Sequence, residues 1–319
     1  MLKKLVLCCF LVLFFSCAEE DEREAEIAKI PVEVQLERFD QRFATADAED
    51  LPGLKRDFPY LFPQQFPDSV WIEKMQDSIQ LELNDAVAEK FPQVQQLEFD
   101  LEGLFQHIKY YFPQQKLPRV VTLTSEVDYR NQVIWADSLL LISLDTYLGE
   151  DHQLYQGVQE YIRNNMQQEF IVPDVVSAFG ETVVPKPTSR NFLAHMIYFG
   201  KLLYLKDRLL PAAEDARKMK YSAEEMEWAR NNEEQIWRYF VENELLYSSD
   251  TELYTRFLYP APFSKFYLQL DNEAPARLGQ FIGWQIVKKY MEREEVALQE
   301  MLSTDAETIF KKSNYKPRK

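Results

Sequence analysis

Glycine is scarce in this chain, with eight copies in 319 residues, and none falls in a G-x-G-x-x-G or Walker pattern. The usual glycine cradles for nucleotide phosphates are therefore missing. G-x-S-x-G is also absent, so there is no serine-hydrolase elbow. Histidine occurs only at His107, His152 and His195, and none has a second histidine three or four residues away. The three cysteines all lie at or before position 17. No basic cluster precedes the last few residues, and the formal net charge is −16. A surface this acidic is repelled by phosphate backbones, which excludes nucleic acid as a partner.

Long apolar runs are missing too. The longest, Leu5–Phe15, has eleven residues, against the roughly 20 that a spanning helix needs. Lys3 and Lys4 precede it, which makes it a secretory leader with an h-region of ordinary length. The run ends in "FFSC". A small residue directly before a cysteine at this place resembles the lipobox of bacterial lipoproteins, although Phe14 stands where leucine is more usual. That resemblance implies lipidation of Cys17 and cleavage before it. Two or three acyl chains, at about 0.8 kcal/mol per buried methylene, hold a protein durably on a membrane where one chain does not.

Cys8 and Cys9 leave with such a leader, and lipid consumes Cys17. The processed chain then has no thiol for a disulfide, a cysteine-ligated metal or a nucleophile. Residues 1–16 read as signal peptide, 17–29 as a lipidated acidic tether and 30–319 as one domain. The acids from Glu19 to Glu26 read as a solvated spacer. They also resemble a surface-export tag found in some gliding bacteria. Loss of Lys3 and Lys4 takes the net charge from −16 to about −18. The basic C-terminus (Lys311, Lys312, Lys316, Arg318, Lys319) reads as a solvated end.

Aromatics are abundant: 22 Phe, 17 Tyr and 5 Trp. They supply enough ring area for a sizeable core, and no Ser/Gly linker divides it. Val32, Val34 and Leu36 alternate as on a strand. Residues 50–114 carry a helical pattern punctuated by proline. Val120–Leu123, Val133–Trp135 and Leu139–Leu144 read as strands, with Asp128, Asn131 and Asp137 as turn residues. Helices are expected over Pro173–Ala178, Ser189–Lys206, Ala223–Leu246, Ala276–Arg293 and Asp305–Ser313. The expectation is an α+β, mostly helical single domain with a small mixed or antiparallel sheet in mid-chain.

Candidate chemistry is thin. In "SRNFLAHMIYFGKLLYLK", Ser189 is the expected N-cap, with Lys201 and Lys206 at the negative end of the helix dipole. His195 reads first as a core histidine. Set against the zincin H-E-x-x-H, the same frame places Met196 where the glutamate belongs and Phe199 where the second ligand belongs. "RYFVENELLYSS" resembles the zincin helix that supplies a glutamate ligand, which would be Glu242. His195 and Glu242 are thus candidates for a vestigial metal site on a zincin-like scaffold that has lost its metal, and no cofactor is expected. Asp271 and Glu273 read as helix-start carboxylates, with Arg277 one turn on. Gly279 and Gly283 allow close helix packing. Asp128, Tyr129, Arg130 and Asn131 read as a solvated hairpin tip or a recognition loop.

The blocks "PRVVTLTSEVDYRNQVIWADSLLLISLDTYLG", "QIWRYFVENELLY", "PAPFSKFYLQLDNEAPARLGQFIGWQIVKKYM" and "LSTDAETIFKKSNYKP", together with the motif at Cys17, resemble the gliding motility lipoprotein GldB family. That resemblance implies an envelope lipoprotein, anchored through lipid on Cys17, that accompanies the gliding machinery and type IX secretion. The outer membrane is preferred to the inner, and the role is non-enzymatic assembly or stabilisation. The family brings no catalytic residues to carry over. A degenerate zincin-like metallohydrolase and a peptide- or carbohydrate-binding surface lipoprotein are the alternatives.

Overall fold

The computed structural model describes residues 21–268 and 271–318. The leader and Cys17 lie outside the described residues. Residues 21–27 are helical (α1). The solvated-spacer expectation fails for this half of the acidic segment, because it docks: Ile27 is buried, the Glu24 carboxylate meets His107 Nε2 at 2.9 Å, and Gln106 donates to the Ile30 carbonyl at 3.0 Å.

The alternating segment enters the sheet late, as strand β1 (Leu36–Arg38). Val34 and Leu36 are buried as their spacing implies, but their N–H groups go elsewhere than to a strand. They donate to Glu102 at 3.1 Å and Glu98 at 3.0 Å. Next come α2 (Phe39–Ala44), α3 (Leu51–Asp57), α4 (Asp68–Gln76), α5 (Ser78–Lys90) and α6 (Gln95–Tyr111). Asp77 caps α5 by accepting from Ile79 and Gln80, which satisfies two of the orphan donors at that end. On α6, Leu97, Leu101, Leu104, Phe105 and Ile108 form one buried stripe, the period of an amphipathic helix.

The mid-chain block gives β2 (Arg119–Leu123), β3 (Val133–Ala136) and β4 (Leu139–Ser143). The sheet order is β1-β2-β4-β3. β1, β2 and β4 run parallel, and β3 is the antiparallel outer strand. Asp137, at φ +47°, closes the β3–β4 hairpin in the left-handed region that Asp tolerates. Both faces of the sheet are covered. Val120, Leu140 and Ile142 join the main core, while Val121 joins a smaller one with Phe43, Leu54, Phe58 and Phe62. That explains why these strands read as continuous apolar runs rather than alternating ones.

Helix follows almost throughout: α7 (Glu160–Arg163), α8 (Ile171–Val183), α9 (Phe192–Leu209), α10 (Asp215–Met219), α11 (Ala223–Asn231), α12 (Glu233–Glu242), α13 (Glu252–Phe257), α14 (Leu278–Glu294), α15 (Leu298–Ser303) and α16 (Ala306–Ser313). α8 is longer than the expected Pro173–Ala178, because Pro173 falls in its first turn, where proline is tolerated. The N-cap of α9 is Asn191, whose side chain accepts from Ala194 at 2.9 Å, and Ser189 instead receives the Asn191 N–H at 3.3 Å. The single helix expected over Ala223–Leu246 breaks at Asn232. Its side chain donates to the Trp228 carbonyl at 2.8 Å, a local bond that competes with helix propagation. Asp271 caps the Tyr267 and Leu268 N–H groups at 2.7 and 3.1 Å rather than starting α14.

α9 and α14 cross with their backbones in contact. A Cβ on Gly283 would overlap the Met196 carbonyl, one on Gly200 would overlap the Gly283 carbonyl, and one on Gly279 would sit 2.9 Å from the Phe257 carbonyl. The C-terminal segment is no free end either. Tyr315 donates to the buried Glu233 carboxylate at 2.8 Å and packs edge-on against Trp237.

Candidate functional site

A hollow of about 490 Å³ is walled by α8, the second half of α9, the end of α10 and the start of α14. Asp174 on α8 is its hub. The Tyr147 hydroxyl donates to it at 2.8 Å, and Lys220 Nζ pairs with it at 2.6 Å. Burial and the adjacent carboxylate push the Tyr147 hydroxyl well above the usual phenol range, so this tyrosine serves as a fixed donor. Lys220 reaches the cavity because it ends α10 in the left-handed region at φ +54°. Arg277, at φ +61°, opens α14 in the same way. Its guanidinium donates to the Lys220 carbonyl at 2.8 Å and lies over the Tyr221 ring.

Lys206 is the least expected member. It sits on the buried face of α9 with 6 % exposure, and among the described residues its amine makes one hydrogen bond, to the Lys218 carbonyl at 3.1 Å. Burial pushes its pKa down to about 7; Asp174 opposes that, while Lys220 and Arg277 add to it. Lys218 runs the other way, to Asp207 at 2.9 Å, and Asp207 also accepts from the Trp284 indole at 2.7 Å. Lys201, one and a half turns earlier, is buried as well. It ties α9 to the α15–α16 corner through the Leu302 and Thr304 carbonyls at 2.9 and 2.5 Å, and burial lowers its pKa to about 8. Lys206 does lie in the last turn of α9, as dipole placement expects, but both lysines are buried rather than solvent-facing. The clue available in the sequence was two lysines inside an otherwise apolar helical belt.

Tyr129 and Arg130 form a further wall, presented by a loop that Asp145 holds. The buried Asp145 carboxylate accepts the N–H groups of Ser125 at 3.0 Å and Val127 at 2.7 Å. That restrains a backbone with positive φ at both Glu126 and Val127. Asp128 and Asn131 act as the turn, with Asn131 donating to Asp128 at 2.8 Å. The turn reading holds for Asp128 and Asn131, while Tyr129 and Arg130 line the hollow.

The other candidates lie apart from the cavity. His195 is half-buried and stacks on Tyr254, with ring centroids 4.4 Å apart, and burial lowers its pKa. Glu242 is exposed at the end of α12 and borders a separate hollow with Tyr239 and Phe266. His152 caps a short turn by accepting from Leu154 at 3.3 Å. Among the described residues no three His, Cys, Asp or Glu side chains gather as a metal site would need, and no helix is long and apolar enough to cross a membrane.

A mostly helical α+β domain with a four-stranded mixed sheet, and a hollow lined by Asp174, Lys206, Lys220 and Arg277, is the class that fold and site define. The family model described as gliding motility protein GldB matches residues 20–317. The chain belongs to the GldB gliding motility family. No curated protein and no solved structure matches it, so the zincin likeness around His195 stands on sequence alone.

Proposed function

We propose that this protein is a cell-envelope lipoprotein, held on the membrane by acyl chains on Cys17, that supports the gliding or type IX secretion apparatus without catalysing a reaction. The observation that carries the reading is the family match over residues 20–317. The leader supports it independently, since its short h-region ends at Ser16-Cys17. Anchoring by lipid leaves the domain outside the bilayer and free to bind partners at the surface. We place the anchor in the outer membrane.

Complementation of a deletion strain tests this. Wild-type protein restores gliding or secretion and fractionates with membranes. Cys17→Ala leaves the membrane fraction and fails to complement. A Cys17→Ala protein that is soluble and complements fully would refute the anchored role.

A further inference from the structure

Three adjoining hollows make one trench across the molecule. The cavity around Asp174 shares Arg130, Ser177 and Glu181 with a hollow of about 470 Å³ between β3 and α8. On its other side it shares Tyr161, Lys220 and Arg277 with a hollow of about 930 Å³. The trench therefore begins along an outer strand and leads to the cations.

The two edges of the sheet are treated differently. The outward N–H of Leu36 in β1, and that of Val34 just before it, are taken by Glu98 and Glu102 of α6. Among the described residues no side chain accepts from β3 in the same way, although α8 packs beside it. Ser143 donates to the Gln132 carbonyl at 2.9 Å, and the antiparallel register pairs Ile134 with Leu141 and Ala136 with Leu139. Hydrogen-bonded pairs alternate along an antiparallel ladder, so the N–H and C=O groups of Val133 and Trp135 point away from β4. An open edge of this kind templates another strand unless it is blocked. Its four residues match about 13 Å of added chain at ~3.3 Å per residue.

Charge selects what lies at the inner end. The hollow around Asp174 is lined by Arg130, Lys206, Lys220 and Arg277 against Asp174 and Glu181, in a chain of net charge −16; the Lys218 amine, also in its wall, is turned to Asp207, and Lys220 pairs with Asp174. Lys206 is buried, faces this space and leaves part of its donor capacity unused. We propose that the trench binds an extended peptide that adds to β3 as a fifth strand and seats its C-terminal carboxylate beside Lys206, Lys220 and Arg277. Backbone pairing gives such a complex its affinity, and the captured carboxylate fixes the register.

The test uses the full chain in detergent and a displayed library of random heptapeptides with free C-termini. Enriched peptides are then synthesised as free acids and as amides. We expect binding that weakens at least tenfold on amidation, on Lys206→Met and on Val133→Pro, a change that removes an outward N–H and no β3–β4 bond. Hydrogen exchange on the unsubstituted chain provides a readout independent of any variant's folding. The Val133 and Trp135 amides exchange freely without peptide and become protected with it. Failure to enrich any peptide overturns the proposal. So does binding that leaves those two amides unprotected, or binding indifferent to amidation, as an apolar groove or a site for another anion would give.

Discussion

Replacing Lys206 with methionine puts the physics of the cavity to a quantitative test. Methionine keeps the length of the stem and removes the amine. Because its pKa falls from 10.5 to about 7 in the folded protein, holding the charged amine there costs on the order of 5 kcal/mol. Against that stand one hydrogen bond to Lys218, worth about 1 kcal/mol, and about 1–3 kcal/mol for leaving that carbonyl unpaired. The balance favours Lys206→Met by roughly 1–3 kcal/mol at neutral pH. The pH dependence has a definite sign. Below pH 7 both folded and unfolded chains carry the proton, and the folded state bears the full cost. Between about pH 7 and 10.5 the unfolded chain binds more protons, so stability rises with pH. Lys201, lowered to about 8, contributes a smaller rise of the same sign from about pH 8 upward. Urea denaturation followed by tryptophan fluorescence at several pH values reads both effects. The wild type should gain stability from about pH 7 to 9, and Lys206→Met should be more stable at pH 7 with only the Lys201 part of the slope left. A variant less stable than wild type at pH 7, with the full slope intact, would refute the reasoning. A lysine retained at a cost in stability belongs to a site rather than to a core, which links this measurement to the trench.

Three other changes follow from the packing. Gly283→Ala forces a methyl into the Met196 carbonyl, and overpacking here should cost about 3 kcal/mol or more, seen as a lower urea midpoint; an unchanged midpoint would mean that α9 and α14 do not touch. Asp145→Ala leaves the partly buried Ser125 and Val127 N–H groups without their acceptor and should cost about 1–3 kcal/mol, with faster amide exchange over residues 125–131. Tyr315→Phe removes the hydrogen bond to Glu233 and should cost about 1.5–3 kcal/mol. It should also expose the C-terminal segment to carboxypeptidase, and wild-type resistance in this variant would contradict the docked tail.

Elements written in local patterns were legible before the structure. The three mid-chain strands lie within a residue of expectation because β-branched runs, turn residues and a hairpin mark their ends. Gly279 and Gly283 announced a close helix contact, though not that its partner is Gly200. What escaped is long-range. The Glu98 and Glu102 bonds to Val34 and Leu36 span more than sixty residues, so alternation alone extended β1 too far. The acidic segment and the C-terminal tail were read as solvated, which hid the docking of Glu24 and the Glu233–Tyr315 pair, and Lys201 and Lys206 were read only as dipole partners, which hid their burial. The cavity brings together Tyr147, Asp174, Lys206, Lys220 and Arg277 from five separate segments, and no short motif records such a meeting.

The most direct measurement is the mass of the N-terminal peptide of the protein isolated from cell membranes. The account predicts a peptide that begins at Cys17 and carries a diacylglyceryl group with added acyl mass. An unmodified N-terminus, on a protein recovered from the soluble fraction, would contradict it.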